Sequence, residues 1–505
     1  MIGRLTMRAA LMLGAVYFSG PALADPVVTP IVITALAGVA GVGLGVTTVT
    51  AAVLAVATTA VAAGASYLMR PSTGGTAGRA VDAVTAAPAN GQRNIPVAQA
   101  IPPRRMAFGR CRTGGALFFQ DNDNPNLYIG TLLSDGPIEG VEAVYFGDVQ
   151  IPVGVSGDAA SGSAYFGNFR VEYGTGESTQ TTSALLAAAF PPIADADFRQ
   201  RGVARAVARL DWGADSTEHN TLWANSIAPN YLGKWLKVYD PRNGAHNIDD
   251  AATWTYSANP ALCIAHALRH AWNVAIPHTA IDWDTVAAAA NVCDATLTYG
   301  GATVKLFELA GVFQAGADYG AQIQEMLSSC GGAISYRGGK YRIRADAPRS
   351  SIWTVTDDDV LSLGEFQFGT EKRAKFNTVS ARFFDADDAG LQRTTPAYSV
   401  AAAVATEGER ETSVSLPFTP YSHSAQILAY RELIRSRDGR ALSAVLSDAA
   451  LALDPGDVIA FALTEAAALN GAYEVVQVDL SDVGTMVTLK GYTSAAYADP
   501  ATYLV

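Results

Sequence analysis

From residue 95 onward, apolar and polar positions alternate in short runs, the period-2 signature of half-buried strands. Residues 141–149 and 164–173 carry β-branched and aromatic side chains between Gly, Asp and Asn clusters. Residues 205–212 alternate into a strand, and 235–239 form another. Glycine-rich 154–162 and Gly174-Thr175-Gly176 have turn chemistry. The block 95–245 therefore reads as a β-barrel or sandwich domain with an inserted β domain at about 118–200. The period then changes. Asn259-Pro260 puts a capping side chain before a proline at the first helical position. Ala261, Ile264, Ala265, Leu268 and Trp272 follow at helical spacing. Asp284 is placed to cap a second helix running through Ala290, and Asp318 to open a third, with Ile323, Met326, Leu327 and Cys330 on one face. Strands at 334–336 and 341–344 flank Gly338-Gly339, a hairpin signal. These elements make 246–347 an α+β domain. Residues 348–505 are mostly strands with one helix at 424–437, stopped by Asp438-Gly439. The turn Asp454-Pro455-Gly456-Asp457 leads into 458–461, and 473–478 and 485–489 complete a meander that predicts a small closed barrel.

The N-terminus has a different texture. Arg4 and Arg8 precede the apolar run 9–18, and Ala22-Leu23-Ala24 stands before Asp25, the layout of a secretory signal peptide. Residues 27–69 contain no charged side chain, which is length enough for two membrane-spanning helices or a bent hairpin. Val27, Leu36, Val42, Leu44, Val53, Leu54 and Leu68 are among its apolar side chains, and Gly38, Gly41, Gly43 and Gly45 let helices approach closely. Arg70-Pro71 ends the run, and 72–94 is a small-residue linker. Two readings stand: the membrane anchor of an exported envelope protein with a periplasmic β-rich binding body, or an apolar plug, 1–71, that oligomerises inside a larger assembly.

Composition narrows the function. The 505 residues carry a net charge of −12, which argues against a nucleic-acid reader with a basic face. Only 16% of residues are charged, below the usual ~25%. Cys111, Cys263, Cys293 and Cys330 lack CxxC spacing and read as small buried hydrophobes. His266 and His270 have the spacing of a helical metal pair, but the periodicity assigns both to a solvated face. Asp121-Asn122-Asp123-Asn124 reads as a polar turn rather than a calcium loop, and Asp357-Asp358-Asp359 as a turn or cap. Glu139, Glu142 and Glu177 are carboxylates of the kind any acidic chain of this size offers. No enzyme activity, metal or cofactor is expected. Trp235, Trp254, Trp272 and Trp283 read as core. Arg104, Arg105, Arg110 and Arg112 form a local basic cluster, suited either to acidic surfaces of a neighbouring subunit or to a solvated loop.

Five segments, in order, resemble the central tail hub of long-tailed bacteriophages, the family of the lambda host-specificity (tail tip J) protein. They are 101–115 (IPPRRMAFGRCRTGG), 133–140 (LSDGPIEG), 233–256 (GKWLKVYDPRNG, running on to TWTYSANPALCIAHAL), the Trp283 to Cys293-Asp294 spacing within 281–295, and 453–458 (LDPGDV). The resemblance implies an α+β, mainly β chain with two small β-barrel-like hub domains, an inserted β domain, a helical α+β domain and the N-terminal apolar helical segment. It implies a homotrimer at the tail tip of a virion, in contact with the distal tail protein, the tape-measure protein and a receptor-binding fibre or tip protein. Phage DNA would pass through an acidic lumen without specific binding. The chain ends after the last barrel, so receptor binding is expected of a separate protein. The N-terminal segment is expected to be retained and to contact the tube lumen, the tape-measure protein or the host membrane.

Overall fold

The computed structural model describes residues 96–98, 102–211, 222–223, 228–272, 274–369, 375–388 and 390–505. The expected apolar segment 1–71, with Val27, Leu36, Val42, Leu44, Val53, Leu54 and Leu68, and the linker 72–94 lie outside these residues.

The first lobe begins with β1 (Arg105–Phe108) and β2 (Arg110–Thr113). Gly109 joins them at φ +61°, where a Cβ would stand 1.8 Å from the Leu309 carbonyl oxygen; only glycine fits. Then follow β3 (Ala116–Asp123), β4 (Asn126–Asp135), β5 (Ile138–Phe146), β6 (Val149–Ile151), β7 (Phe169–Thr175), helix α1 (Ala184–Ala189), β8 (Val203–Asp211) and β9 (Pro229–Val238). One antiparallel sheet has the order β3-β4-β8-β7; in the other, β9 lies between β5 and β2, with β6 outside β5. Alternation along β8 buries Ala204, Ala206, Ala208 and Leu210, which share a core with Leu133, Phe146, Phe169, Tyr231 and Trp235. Two turns expected from the sequence are strand instead. Asp121–Asp123 continue β3, because Asp121 pairs with Tyr128 and Asp123 with Asn126 across the hairpin. Gly174 and Thr175 complete β7 by pairing with Arg205 and Ala204. The strand expected at 164–173 starts only at Phe169.

The helical block holds β10 (Thr255–Tyr256), α2 (Pro260–His270), α3 (Trp283–Cys293), β11 (Thr296–Tyr299), β12 (Ala302–Lys305), β13 (Gly311–Gln314), α4 (Tyr319–Ser328), β14 (Ala333–Arg337) and β15 (Lys340–Arg344). Asn259 caps α2 by accepting the Ala261 N–H at 3.1 Å, and Asp318 caps α4 by accepting that of Ala321 at 2.9 Å. The cap of α3 is Asp282, not Asp284. Asp282 has the extended backbone a cap requires, whereas Asp284 already lies in the first turn. β13 returns to pair with β1. Met106 and Phe108 thereby join Ile264, Leu268, Val286 and Met326 in one core. Gly338 and Gly339, both at positive φ, turn the β14–β15 hairpin as expected. His266 corrects a second expectation. It is buried, edge-on to Phe108 and Trp254, with the His270 ring 4.4 Å away. The solvated face contains only His270, because Trp254 and β1 cover the preceding turn.

The last lobe contains β16 (Trp353–Val355), β17 (Val360–Phe368), β18 (Thr378–Asp385), β19 (Leu391–Thr394), β20 (Tyr398–Ser399), α5 (Ala401–Glu407), β21 (Glu411–Leu416), α6 (Ser422–Asp438), β22 (Arg440–Leu446), β23 (Val458–Phe461), β24 (Gly471–Leu480) and β25 (Thr485–Gly491). Helix α6 ends at Gly439, φ +54°, and packs Ala425, Ile427, Ala429 and Leu433 against Val379, Ala381 and Phe383 of β18. Six strands curl in the order β16-β23-β24-β25-β22-β17 around Leu442, Leu446, Ile459, Tyr473, Val487 and Leu489. The barrel expected here is not closed by strand pairing: β16 and β17 end the order without a ladder between them. The corner Asp357–Asp359 spans the gap instead. Asp357 accepts the Thr464 N–H, and the Asp359 carbonyl accepts the Ser447 N–H at 2.8 Å. The chain is α+β and mainly β, as the sequence indicated.

Candidate functional site

The four arginines of 104–112 do not form one patch. Arg105 and Arg112 are buried, whereas Arg104 and Arg110 remain partly exposed. Arg104 Nε donates to Asp135 Oδ2 at 2.7 Å, an oxygen that also accepts Trp272 Nε1 at 2.7 Å. Arg105 is buried, and its Nη1 donates to the Gly115 carbonyl at 3.1 Å. Arg112 is buried against the Tyr145 ring, 4.3 Å from its centroid, and donates to Asn230, the Gly147 carbonyl and Asp148. Burial lowers the pKa of both inner guanidiniums from the usual arginine value. Arg110 reaches Glu142 Oε2 at 2.7 Å and the Ala386 carbonyl at 2.6 Å, so it ties β2 to the loop after β18. Each arginine thus has acceptors within its own chain.

A second constellation joins the β14–β15 hairpin to the half-barrel. Its acceptors come from LDPGDV, one of the segments that carry the sequence resemblance. Asp454 Oδ1 accepts Arg337 Nη1 at 2.5 Å, and Asp454 Oδ2 accepts Arg342. Asp457 Oδ1 accepts Arg344 Nη1 at 3.0 Å. Arg349 donates to the Gly456 carbonyl and to Glu474 Oε1 at 3.1 Å. Gly456 sits at φ +91°, which the tight turn requires, and its missing side chain leaves space for the Arg344 and Arg349 tips. Behind this socket, Asp346 is buried between Arg431, Arg435 and Tyr497. Burial pushes its carboxyl up, but the Arg435 and Arg431 charges and the Tyr497 hydroxyl outweigh that and hold it below the ordinary aspartate value. Sequence reasoning identified the turn but not its arginine partners, since nothing in the spacing of 337, 342, 344 and 349 indicates what they face.

All four cysteines are buried, and none is in a disulfide. Trp235 and Trp254 are buried, while Trp272 and Trp283 pack partly buried on the helical core. Among the described residues no group of His, Cys, Asp or Glu is arranged to hold a metal ion, and no helix is long and apolar enough to cross a membrane.

Residues 320–478 match a family described as putative phage tail protein. The matched stretch runs from α4 through β14, β15 and LDPGDV into β24, so it contains the arginine socket. The fold is shared with a chain of a solved structure described as the virion of native gene transfer agent (GTA) particle. The TM-score is 0.57 at 16% identity, over 90% of this chain and 98% of that one. A 43 kDa tail protein of prophage MuSo2 from Shewanella oneidensis aligns over 78% of this chain and 99% of its own at 10% identity, but its TM-score of 0.27 carries no argument. The same holds for a tail protein from Neisseria meningitidis MC58, at 10% identity, 77% and 96% coverage and a TM-score of 0.29. No curated protein matches the sequence. The family match and the shared fold support a structural protein of a virion tail.

Proposed function

We propose that this chain is a trimeric tail hub. It closes the distal end of the tail tube, anchors tip or fibre proteins and gates genome delivery into the host. The observation that carries the reading is the fold shared with nearly the whole of a GTA-particle chain, to which the tail-family match over 320–478 adds sequence support. The architecture suits the role. Ion pairs from Arg337, Arg342 and Arg344 to Asp454 and Asp457 join the helical block to the half-barrel, and Arg110 ties the first lobe to the loop after β18, as a stiff ring segment requires. The partners are two further copies, the distal tail protein, the tape-measure protein and a receptor-binding fibre or tip protein. Residues 27–69 would serve to plug the tube, to contact the tape-measure protein or to enter the host membrane during delivery. Phage DNA passes an acidic wall without specific contacts.

The test is the native mass by multi-angle light scattering of protein extracted from particles, with the intact mass of the chain. A trimer of 52.7 kDa chains that retain residues 1–24 is expected. A monomer beginning at Asp25 would overturn the reading in favour of an exported envelope protein.

A further inference from the structure

β17 is the last strand of the half-barrel, and its outer edge has no partner among the described residues. It is nine residues long and almost wholly exposed, with Leu361 at 52% and Phe368 at 75%. An edge this long and apolar is a template for strand addition, and soluble proteins ordinarily blunt such edges with lysine, proline or a cover. β17 has no lysine or proline and no cover among the described residues, and only two bulges, between Val360 and Ser362 and between Leu363 and Phe366, interrupt it. The β24–β25 hairpin tip lies beside it: a Cβ on Gly484 would stand 2.6 Å from Leu361 Cδ1. That tip adds Leu480 and Val483, exposed at 80% and 77%.

The charge around this surface is mainly acidic, with Arg440, opposite Phe368 on β22, held in an ion pair by Asp438. Stretches 350–369 and 441–489 contain no lysine or arginine. Arg337, Arg342, Arg344, Arg349 and Lys490 neutralise Asp454, Asp457 and Glu474 from outside those stretches. Glu365, Asp448 and Asp482 have no ion pair among the described residues. The same face of a second copy would bring like charge, and so would DNA.

We infer that the β17 edge and the β24–β25 tip dock an extended segment of a different particle protein, apolar at alternate positions and flanked by lysine or arginine. Main-chain hydrogen bonds to β17 supply the affinity, Leu361, Leu480 and Val483 receive the apolar side chains, and the acidic rim selects the basic flanks. The inference rests on the chain being part of a multi-protein particle.

The experiment uses the full chain with Phe368→p-benzoylphenylalanine, made in particle-producing cells, irradiated in purified particles and mapped by peptide sequencing. The expected product joins position 368 to another particle protein, within a segment of alternating apolar residues bordered by Lys or Arg. Cross-links to a second copy of this chain or to DNA, or none in particles that contain the chain, overturn the inference and leave the particle reading standing. Absence of the chain from particles overturns both. A companion variant, Leu361→Glu with Leu363→Glu, should melt like the parent and lose at least tenfold in incorporation; parental incorporation would also overturn the inference.

Discussion

Replacing Asp346 with alanine should destabilise the C-terminal half by about 3–5 kcal/mol, the usual cost of removing one partner of a buried ion pair. Asp346 is only 3% exposed. Its Oδ2 accepts Arg431 Nη1 at 3.2 Å, and its Oδ1 accepts Arg435 Nη2 at 2.5 Å and the Tyr497 hydroxyl at 2.8 Å. Alanine leaves the buried Arg431 guanidinium without its counter-charge; Arg435 reaches solvent and contributes less. At about 2–4 °C per kcal/mol for a lobe of this size, the melting transition should fall by about 6–20 °C. Asp346→Asn keeps the shape but not the charge and should also be destabilised, whereas Tyr497→Phe should lose only about 1 kcal/mol. The pH dependence has a definite sign. The folded carboxyl titrates below its unfolded value, so the unfolded chain binds more protons near pH 4. The stability is present above about pH 4, the unfolded value, and is lost as pH falls through the folded one. Calorimetry and urea unfolding at pH 7 and at pH 3–4 read both effects. An Asp346→Ala variant that melts within about 1 °C of the parent would refute the reasoning.

Gly109→Ala should be the most damaging glycine substitution, costing at least about 4 kcal/mol and showing as loss of soluble protein, because the new Cβ meets the Leu309 carbonyl backbone at 1.8 Å. Gly456→Ala should cost only about 1–2 kcal/mol in urea unfolding, since its nearest neighbours at 3.1 and 3.2 Å are arginine tips that can move and the positive φ is the main penalty. Burial, with His270 and Arg269 nearby, holds the folded His266 pKa well below the usual histidine value. The stability it contributes is therefore present above about pH 6.5 and should fall by up to about 1.4 kcal/mol per pH unit below that, and His266→Leu should flatten the profile between pH 7 and 5.

Much of the fold was legible because local chemistry decides it. Asn259-Pro260, Asp318 and Gly338-Gly339 act within a few residues, and their helices and hairpin stand where the pattern put them. The failures have a common cause in contacts distant along the chain. Asp121 and Gly174 look like turn residues until β4 and β8 pair with them. His266 looks exposed on its helix until Phe108 and Trp254 cover it. The closed barrel is open because the corner Asp357–Asp359 replaces a ladder that no sequence period reports. The arginines of 104–112 stood out by density, yet each is held by a different partner along the chain: Asp135, the Gly115 carbonyl, Glu142 and Asp148. The socket arginines were invisible because their meaning lies in Asp454 and Asp457, more than a hundred residues away.

The central claim is most directly tested by a cryo-electron microscopy map of the intact particle, with this chain fitted at the tail end. The account expects three copies around the tail axis at the distal end of the tube, with the 102–505 body fitting each copy. Density for the chain elsewhere in the particle, a copy number other than three, or no density for it would contradict the account.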